Sequence, residues 1–345
     1  MADLSCNFLG IKSPNPFWLA SAPPTDKYYN VERAFRAGWG VVVWKTLGEP
    51  IVNTASRYGA VDHNGSRMAG FTNIELITDR PLDVNLREIK QIKREWPDRA
   101  LMVSLMVPCD EESWKAILAE VEDTKADGVE LNFGCPHGMS KRGMGSAVGQ
   151  VPDCVEMVTA WCKKHTRMPV VVKLTPNVTD IRYPARAALK GKADAVSLIN
   201  TVASVIGVDL DTMAPMPLVN GKGTHGGYCG PAIKPVALRM VGDLARDPEC
   251  RGMGISGIGG VSTWRDAPEF LAIGAENVQV CTAAMHRGFK IVDDMIDGEC
   301  VGCNLCMYVC PVDGCITMER VDNGKPYAVW ADDPRNPANR APAAR

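Results

Sequence analysis

The sequence has no apolar run near the roughly 20 residues that a membrane-spanning helix needs. Nor does it have an excess of either charge: 38 Lys and Arg face 40 Asp and Glu, a formal net charge of -2. A chain so nearly neutral carries no electrostatic footprint for nucleic acid or an anionic membrane. Its first residues, Met-Ala-Asp-Leu-Ser-Cys-Asn, lack the basic and apolar stretches of a secretory signal, so a cytoplasmic location is expected. Also missing is the Gly-x-Gly-x-x-Gly that follows the first strand of a dinucleotide-binding sheet. The first apolar run, Phe17–Ser21, leads instead into Ala22-Pro-Pro-Thr25.

Cysteine is plentiful, with thirteen in all. Eight are scattered over residues 1–298, and five crowd between Cys300 and Cys315. An odd, uneven set does not read as a secreted disulfide framework. It reads as reduced thiols in the body and a metal site in the tail. The run Cys300-Val-Gly-Cys303-Asn-Leu-Cys306-Met-Tyr-Val-Cys310-Pro311 has the spacing of a bacterial ferredoxin motif for a [4Fe–4S] cluster. Zinc would instead pair two Cys-x-x-Cys knuckles across a wider gap. In two-cluster ferredoxins the fourth cysteine of such a run serves the other cluster. With one quartet here, the fourth ligand stays open between Cys310 and Cys315. Residues 299–330 therefore read as a ferredoxin-like segment, and the Pro/Ala-rich residues 331–345 as a disordered tail.

Residues 1–298 alternate apolar runs with amphipathic stretches. The predicted strands are Phe17–Ser21, Gly40–Trp44, Leu101–Met106, Val129–Leu131, Val170–Leu174, Ala195–Ile199, Gly252–Ser256 and Val278–Cys281. Apolar residues at helical spacing predict helices over Asn30–Ala37, Leu82–Trp96, Glu111–Lys125, Pro152–His165, Tyr183–Lys190, Ile233–Ala245, Trp264–Ile273 and Ala283–Ile296. Eight strand–helix pairs point to an α/β fold, a (β/α)8 TIM barrel, in preference to a doubly wound sheet.

Barrel chemistry gathers at the carboxyl ends of the strands. Those ends carry Ser21, Lys45 and Thr46, Lys173, Asn200 and Thr201, Gly259 and Gly260, and Cys281 and Thr282. Two lysines at one mouth suit a shared anionic ligand. Glycines such as Gly230, Gly259 and Gly260 suit a phosphate held by backbone amides. The stretch Gly128–Gly145 is the centre of the design: a short strand breaks into a glycine-rich loop holding Asn132, Cys135, His137, Lys141 and Arg142. A structural cysteine would keep apolar company, so Cys135 reads as a reactive thiol. The long segment 53–79 has little helical pattern. It is expected to lie over the mouth, offering Asn73 and Glu75 to a ligand.

Taken together, these residues resemble the pyrimidine-reducing subunit of NAD-dependent dihydropyrimidine dehydrogenases, and more distantly the dihydroorotate dehydrogenases. The resemblance rests on Asn15–Ala22, Trp44-Lys-Thr46, Asn73–Ile77, Asn132–Met139, Lys173–Thr179, Asn200-Thr201 and the tail quartet, and it covers residues 3–330. It implies FMN in the barrel mouth. Ser21, Lys45, Thr46 and Lys173 would face the flavin, with Gly230, Gly259, Gly260, Cys281 and Thr282 around its phosphate. Asn73, Asn132, Asn200 and Thr201 would hold the pyrimidine. It also implies hydride transfer to C6 of uracil or thymine, with Cys135 donating the proton to C5 and Lys173 stabilising negative charge on the flavin. Electrons would come from NAD(P)H through an FAD-containing partner subunit and iron–sulfur clusters, one of them on Cys300, Cys303, Cys306 and Cys310. The family pattern has a longer connection and a further cysteine quartet before the tail, whereas here Asp297-Gly-Glu299 runs straight into Cys300, so the tail reads as truncated. Two rivals stand beside this: a dihydroorotate-type or other FMN-dependent ene-reductase, and a non-enzymatic electron-transfer scaffold.

Overall fold

A computed structural model describes residues 4–48, 57–63, 66–136, 143–219, 222–223 and 225–296. Eight parallel strands close into a barrel in sequence order. They are β1 (Phe17–Leu19), β2 (Val41–Leu47), β3 (Ala100–Leu105), β4 (Gly128–Asn132), β5 (Val170–Lys173), β6 (Ala195–Leu198), β7 (Gly254–Ile258) and β8 (Asn277–Val280). Pairing of β8 with β1 shuts the ring, in the register Val278 to Phe17. Helices α1 (Tyr28–Ala37), α2 (Leu82–Glu95), α3 (Glu111–Glu122), α4 (Pro152–His165), α5 (Arg182–Lys190), α6 (Lys234–Ala245) and α7 (Asp266–Ala272) surround it. The expected barrel is thus present, and each expected strand has its counterpart.

Side chains alternate in and out along every strand. Val42, Trp44, Leu101, Val103, Val129, Leu131, Val170, Val172, Val196 and Val278 belong to the core between sheet and helices. Burying each contributes about 1.5–3 kcal/mol. The alternate positions fill the barrel, and their character changes with height. Trp18, Val41, Val43, Met102 and Val171 form an apolar lower layer together with Phe8 and Ile11. Those last two come from an amino-terminal hairpin of Cys6–Phe8 and Ile11–Ser13, which closes the floor. Phe8 meets Trp18 edge to face at 5.5 Å. One step higher on the same strands the inward residues are polar and buried: Lys45, Ser104, Glu130, Lys173, Ser197, Ser256 and Gln279.

Three expectations need correction. Lys45 and Thr46 do not follow β2 but lie within it, because the strand continues to Leu47 through an irregularity in its pairing with β3. Both side chains are buried by the barrel, so their polarity does not mark a strand end. The helix expected over 283–296 is two, Thr282–Arg287 and Ile291–Ile296, separated at Gly288, whose φ of 80° a helix cannot hold. Segment 53–79, so far as it is described, is regular rather than looped. Arg57–His63 and Ser66–Ile74 form a hairpin. Its second strand pairs with Gly226–Cys229, which pairs in turn with Val202–Ser204. This four-stranded sheet brings the excursion after β2 against the one after β6.

Candidate active site

Every described residue singled out as a site candidate lines one cavity at the carboxyl end of the barrel. Ser21, Lys45 and Thr46 come from the β1 and β2 side. Asn132, Cys135 and Lys173 come from β4 and β5, and Asn200 and Thr201 from the end of β6. Asn73 descends from the overlying sheet. Gly230, Gly259, Gly260, Cys281 and Thr282 close the far side. The tail cysteines Cys300, Cys303, Cys306 and Cys310, and with them the expected cluster, lie outside the described residues, as do His137, Lys141 and Arg142.

The polar residues are wired together. Ser21 Oγ and Thr46 Oγ1 share a hydrogen bond of 3.2 Å, and Thr46 Oγ1 and Ser104 Oγ one of 2.9 Å. Asn132 Nδ2 donates to Thr46 Oγ1 at 3.1 Å, and Asn200 Nδ2 donates to Asn132 Oδ1 at 3.0 Å. A chain of side chains therefore crosses the mouth from β1 to β6. Gly134 makes the crossing fit: a Cβ there would stand 2.4 Å from the Asn200 side chain. Asn73 Nδ2 donates to the Gly227 carbonyl at 3.4 Å.

Each cavity lysine faces a carboxylate. Lys45 Nζ lies 2.5 Å from Glu75 Oε1. Burial raises the Glu75 carboxyl above its ordinary value, against the opposing pull of Lys45. Lys173 Nζ lies 3.2 Å from Glu130 Oε1. Glu130 Oε2 accepts from Ser197 Oγ at 2.8 Å and from Gln279 Nε2 at 3.0 Å. Gln279 Oε1 is buried and without a hydrogen-bond partner among the described residues.

Cys135 is buried beside Ile77, Met106 and Met144. Its carbonyl accepts from Ser146 N at 3.0 Å. The next residue, Pro136, is bonded through its carbonyl to His225 Nε2 at 2.8 Å. On the opposite wall, burial and the neighbouring Cys229 push the Cys281 thiol up to about 12. Burial also raises Cys229. Both are therefore neutral thiols near neutral pH, suited to packing rather than attack.

Sequence reasoning passed over Glu130, Gln279, Cys229 and Tyr58. The inward parity of Glu130 between Val129 and Leu131 was a usable signal. Tyr58, stacked on Phe71 at 5.4 Å, reaches the cavity only through the sheet pairing, which no local pattern reveals.

A parallel barrel with lysines, amides and a thiol gathered at its carboxyl mouth defines a barrel enzyme with its site on the strand ends. The dihydroorotate dehydrogenase family profile matches residues 3–299, and the chain belongs to that family. It is 42% identical over 297 residues to the NAD-dependent dihydropyrimidine dehydrogenase subunit PreA of Escherichia coli K12, covering 86% of this chain and 72% of that one. To the chloroplastic dihydropyrimidine dehydrogenase (NADP(+)) of Arabidopsis thaliana it is 42% identical over 298 residues, covering 83% and 70%. To the catalytic subunit of dihydroorotate dehydrogenase B (NAD(+)) from Pyrococcus abyssi it is 38% identical over 304 residues, covering 86% and 92%. A crystal structure of DHODH in complex with ferulenol from Eimeria tenella superposes with a TM-score of 0.68 at 21% identity, over 86% of this chain and 83% of the other, a likeness of fold. Such relatives make the chain an oxidoreductase. No helix among the described residues is long and apolar enough to cross a membrane.

Proposed function

We propose that the cavity holds FMN and that the chain reduces uracil or thymine to the 5,6-dihydropyrimidine. The observation that carries this reading is the meeting, in one cavity, of Lys45, Lys173, the Cys135 thiol and the amides of Asn73, Asn132 and Asn200 beside a glycine cradle. The donor set suits FMN. Gly230, Gly259 and Gly260 all have positive φ. A Cβ on Gly259 would stand 2.7 Å from that of Ala237, and one on Gly260 2.8 Å from that of Lys234. Such a bare backbone concavity, at the start of α6, suits a phosphate. The orphaned Gln279 Oε1 is the kind of acceptor that a donor on a bound group satisfies.

In this reading Gly230, Gly259, Gly260, Cys281 and Thr282 hold the phosphate end, and Ser21, Lys45, Thr46 and Lys173 face the ring system. When bound, FMN supplies the hydride chemistry that no side chain can. The chain's own residues do the rest. Asn73, Asn132, Asn200 and Thr201 grip the pyrimidine edge, since an amide can donate and accept at once against a ring of alternating C=O and N–H groups. Cys135 holds the proton destined for C5. Lys173 places positive charge on the flavin side of the site. The lysine–carboxylate pairings favour a neutral pyrimidine over orotate, because both cavity lysines already have a balancing carboxylate among the described residues.

The same reading assigns a [4Fe–4S] cluster to Cys300, Cys303, Cys306 and Cys310, and draws electrons from NAD(P)H through an FAD-containing partner subunit. Iron and sulfide analysis of anaerobically purified protein tests the cluster, and near-zero iron beside bound FMN would remove it. For the substrate, the reduced protein is mixed anaerobically with uracil, thymine and orotate in parallel. Reoxidation by uracil or thymine, at least tenfold faster than by orotate, is expected. The reverse order would replace this reading with the dihydroorotate type.

A further inference from the structure

Beneath the cavity floor lies a carboxylate that the proposed reaction does not use. Glu130 is 1% exposed and does not line the cavity, yet it ends the path downward from Lys173, which does. It is over-determined: one oxygen faces the Lys173 ammonium, and the other accepts from Ser197 and Gln279. Gln279 Nε2 also donates to Ser256 Oγ at 3.1 Å, and Ser256 Oγ donates to Asn277 Oδ1 at 2.5 Å. Five strands thus contribute to fixing one charge: β4 bears it, β5 brings the ammonium, β6 and β8 donate to it, and β7 steadies Gln279.

Burying a carboxylate is costly unless it is paired and hydrogen-bonded, and Glu130 is both, so its charge is held in one place beside Lys173. The ammonium it touches lines the cavity and is among the groups assigned to face the ring system in the proposed site. We infer that Glu130 is a positioning residue for Lys173: it aims the ammonium at the flavin and offsets part of its positive charge, holding the reduction potential of the bound flavin down. Two-electron reduction leaves negative charge on the ring. A bare ammonium beneath it favours that reduced form strongly, whereas one already shared with Glu130 favours it less. The reduced flavin therefore remains a stronger donor toward a pyrimidine than Lys173 alone would leave it. Lys45 is balanced differently, since its partner Glu75 is itself in the cavity wall, open to whatever binds there.

This inference rests on the FMN reading, and the experiment separates the two. Wild-type chain, Glu130→Gln, Glu130→Asp and the double variant Glu130→Gln/Lys173→Met are loaded with FMN. Their midpoint potentials are measured by anaerobic dye-coupled titration at one fixed pH. Glu130→Gln is expected to favour the reduced flavin at least tenfold, a rise of about 30 mV for a two-electron couple. Glu130→Asp keeps the charge and is expected to stay near the wild type. A Glu130→Gln potential at or below the wild-type value overturns the inference, as does a Glu130→Asp shift equal to that of Glu130→Gln. Should Glu130→Gln fail to fold, recovery of soluble, flavin-binding protein in the double variant supports charge balance. Failure of both would mean that Glu130 only packs the floor. A wild-type chain that binds no FMN overturns the reading of the site itself, and this inference with it.

Discussion

Cys135 is held by backbone contacts as well as by the apolar side chains packed against it. A Cβ on Gly145, whose φ is 59°, would stand 3.2 Å from the Cys135 Cβ, so a larger residue there would push the thiol off its perch. Ser146 N and His225 Nε2 hold two consecutive carbonyls, those of Cys135 and Pro136. Cys135→Ala is expected to keep the yellow flavin spectrum and to slow pyrimidine reduction by about 10²–10⁴-fold, the usual worth of a positioned general acid. Stopped-flow reoxidation reads this directly, and near-normal rates would remove Cys135 from the mechanism. The sequence singles out Cys135 because Asn132, His137, Lys141 and Arg142 crowd near it, whereas the described side chains packed around it, Ile77, Met106 and Met144, are apolar. Glu130 was not singled out. It stands inside a run that scans as apolar, and only the strict alternation of a strand shows that it turns inward while Val129 and Leu131 turn out.

Among the elements, the turn leading into α7 governs the glycine cradle. Asp266 accepts from Ser262 N at 2.8 Å, from Thr263 N at 2.7 Å and from Lys234 Nζ at 2.7 Å. It thereby ties the loop after β7 to the start of α6, on either side of Gly260. Burial works to raise the Asp266 carboxyl, but Lys234 and the two amides outweigh it and hold it below the ordinary 3.8. A depressed carboxyl contributes stability that is present above the unfolded value and lost as pH falls through the folded one. Asp266→Asn is expected to cost about 1–2 kcal/mol at neutral pH, with solvent screening included. It is also expected to flatten the acid limb of the stability curve below pH 3.8. Urea denaturation across that range checks both, and an unchanged acid limb would contradict the assignment. Most element positions could be read from period alone. The strands over the mouth are exceptions of one kind. The lid strands pair with partners far along the chain, Asn73 meeting Gly227 across 154 residues, and a local pattern carries no trace of such a partner.

Across the whole molecule, the barrel is a two-storey interior, dry below and polar above, with the cavity opening over the polar storey. The strand count, the closed ring and the end of the barrel at which the cavity opens followed from the alternation of strands and helices and from strand-end chemistry. The vertical change did not, because it needs the register of eight strands at once. The sheet above the mouth has a mechanical consequence. Its ladder joins Asn73 to Gly227, Thr72 to Tyr228 and Phe71 to Cys229, so the excursions after β2 and β6 are hinged to each other. Neither can swing aside alone without tearing that seam. Hydrogen exchange followed by mass spectrometry should find residues 66–74 and 226–229 opening at one common rate, slowed together by a bound pyrimidine. Two unrelated rates would show the seam to be cosmetic. On the proposed reading the door is then also one of the fingers: whatever admits the ring would carry Asn73 away with it and return it on closing.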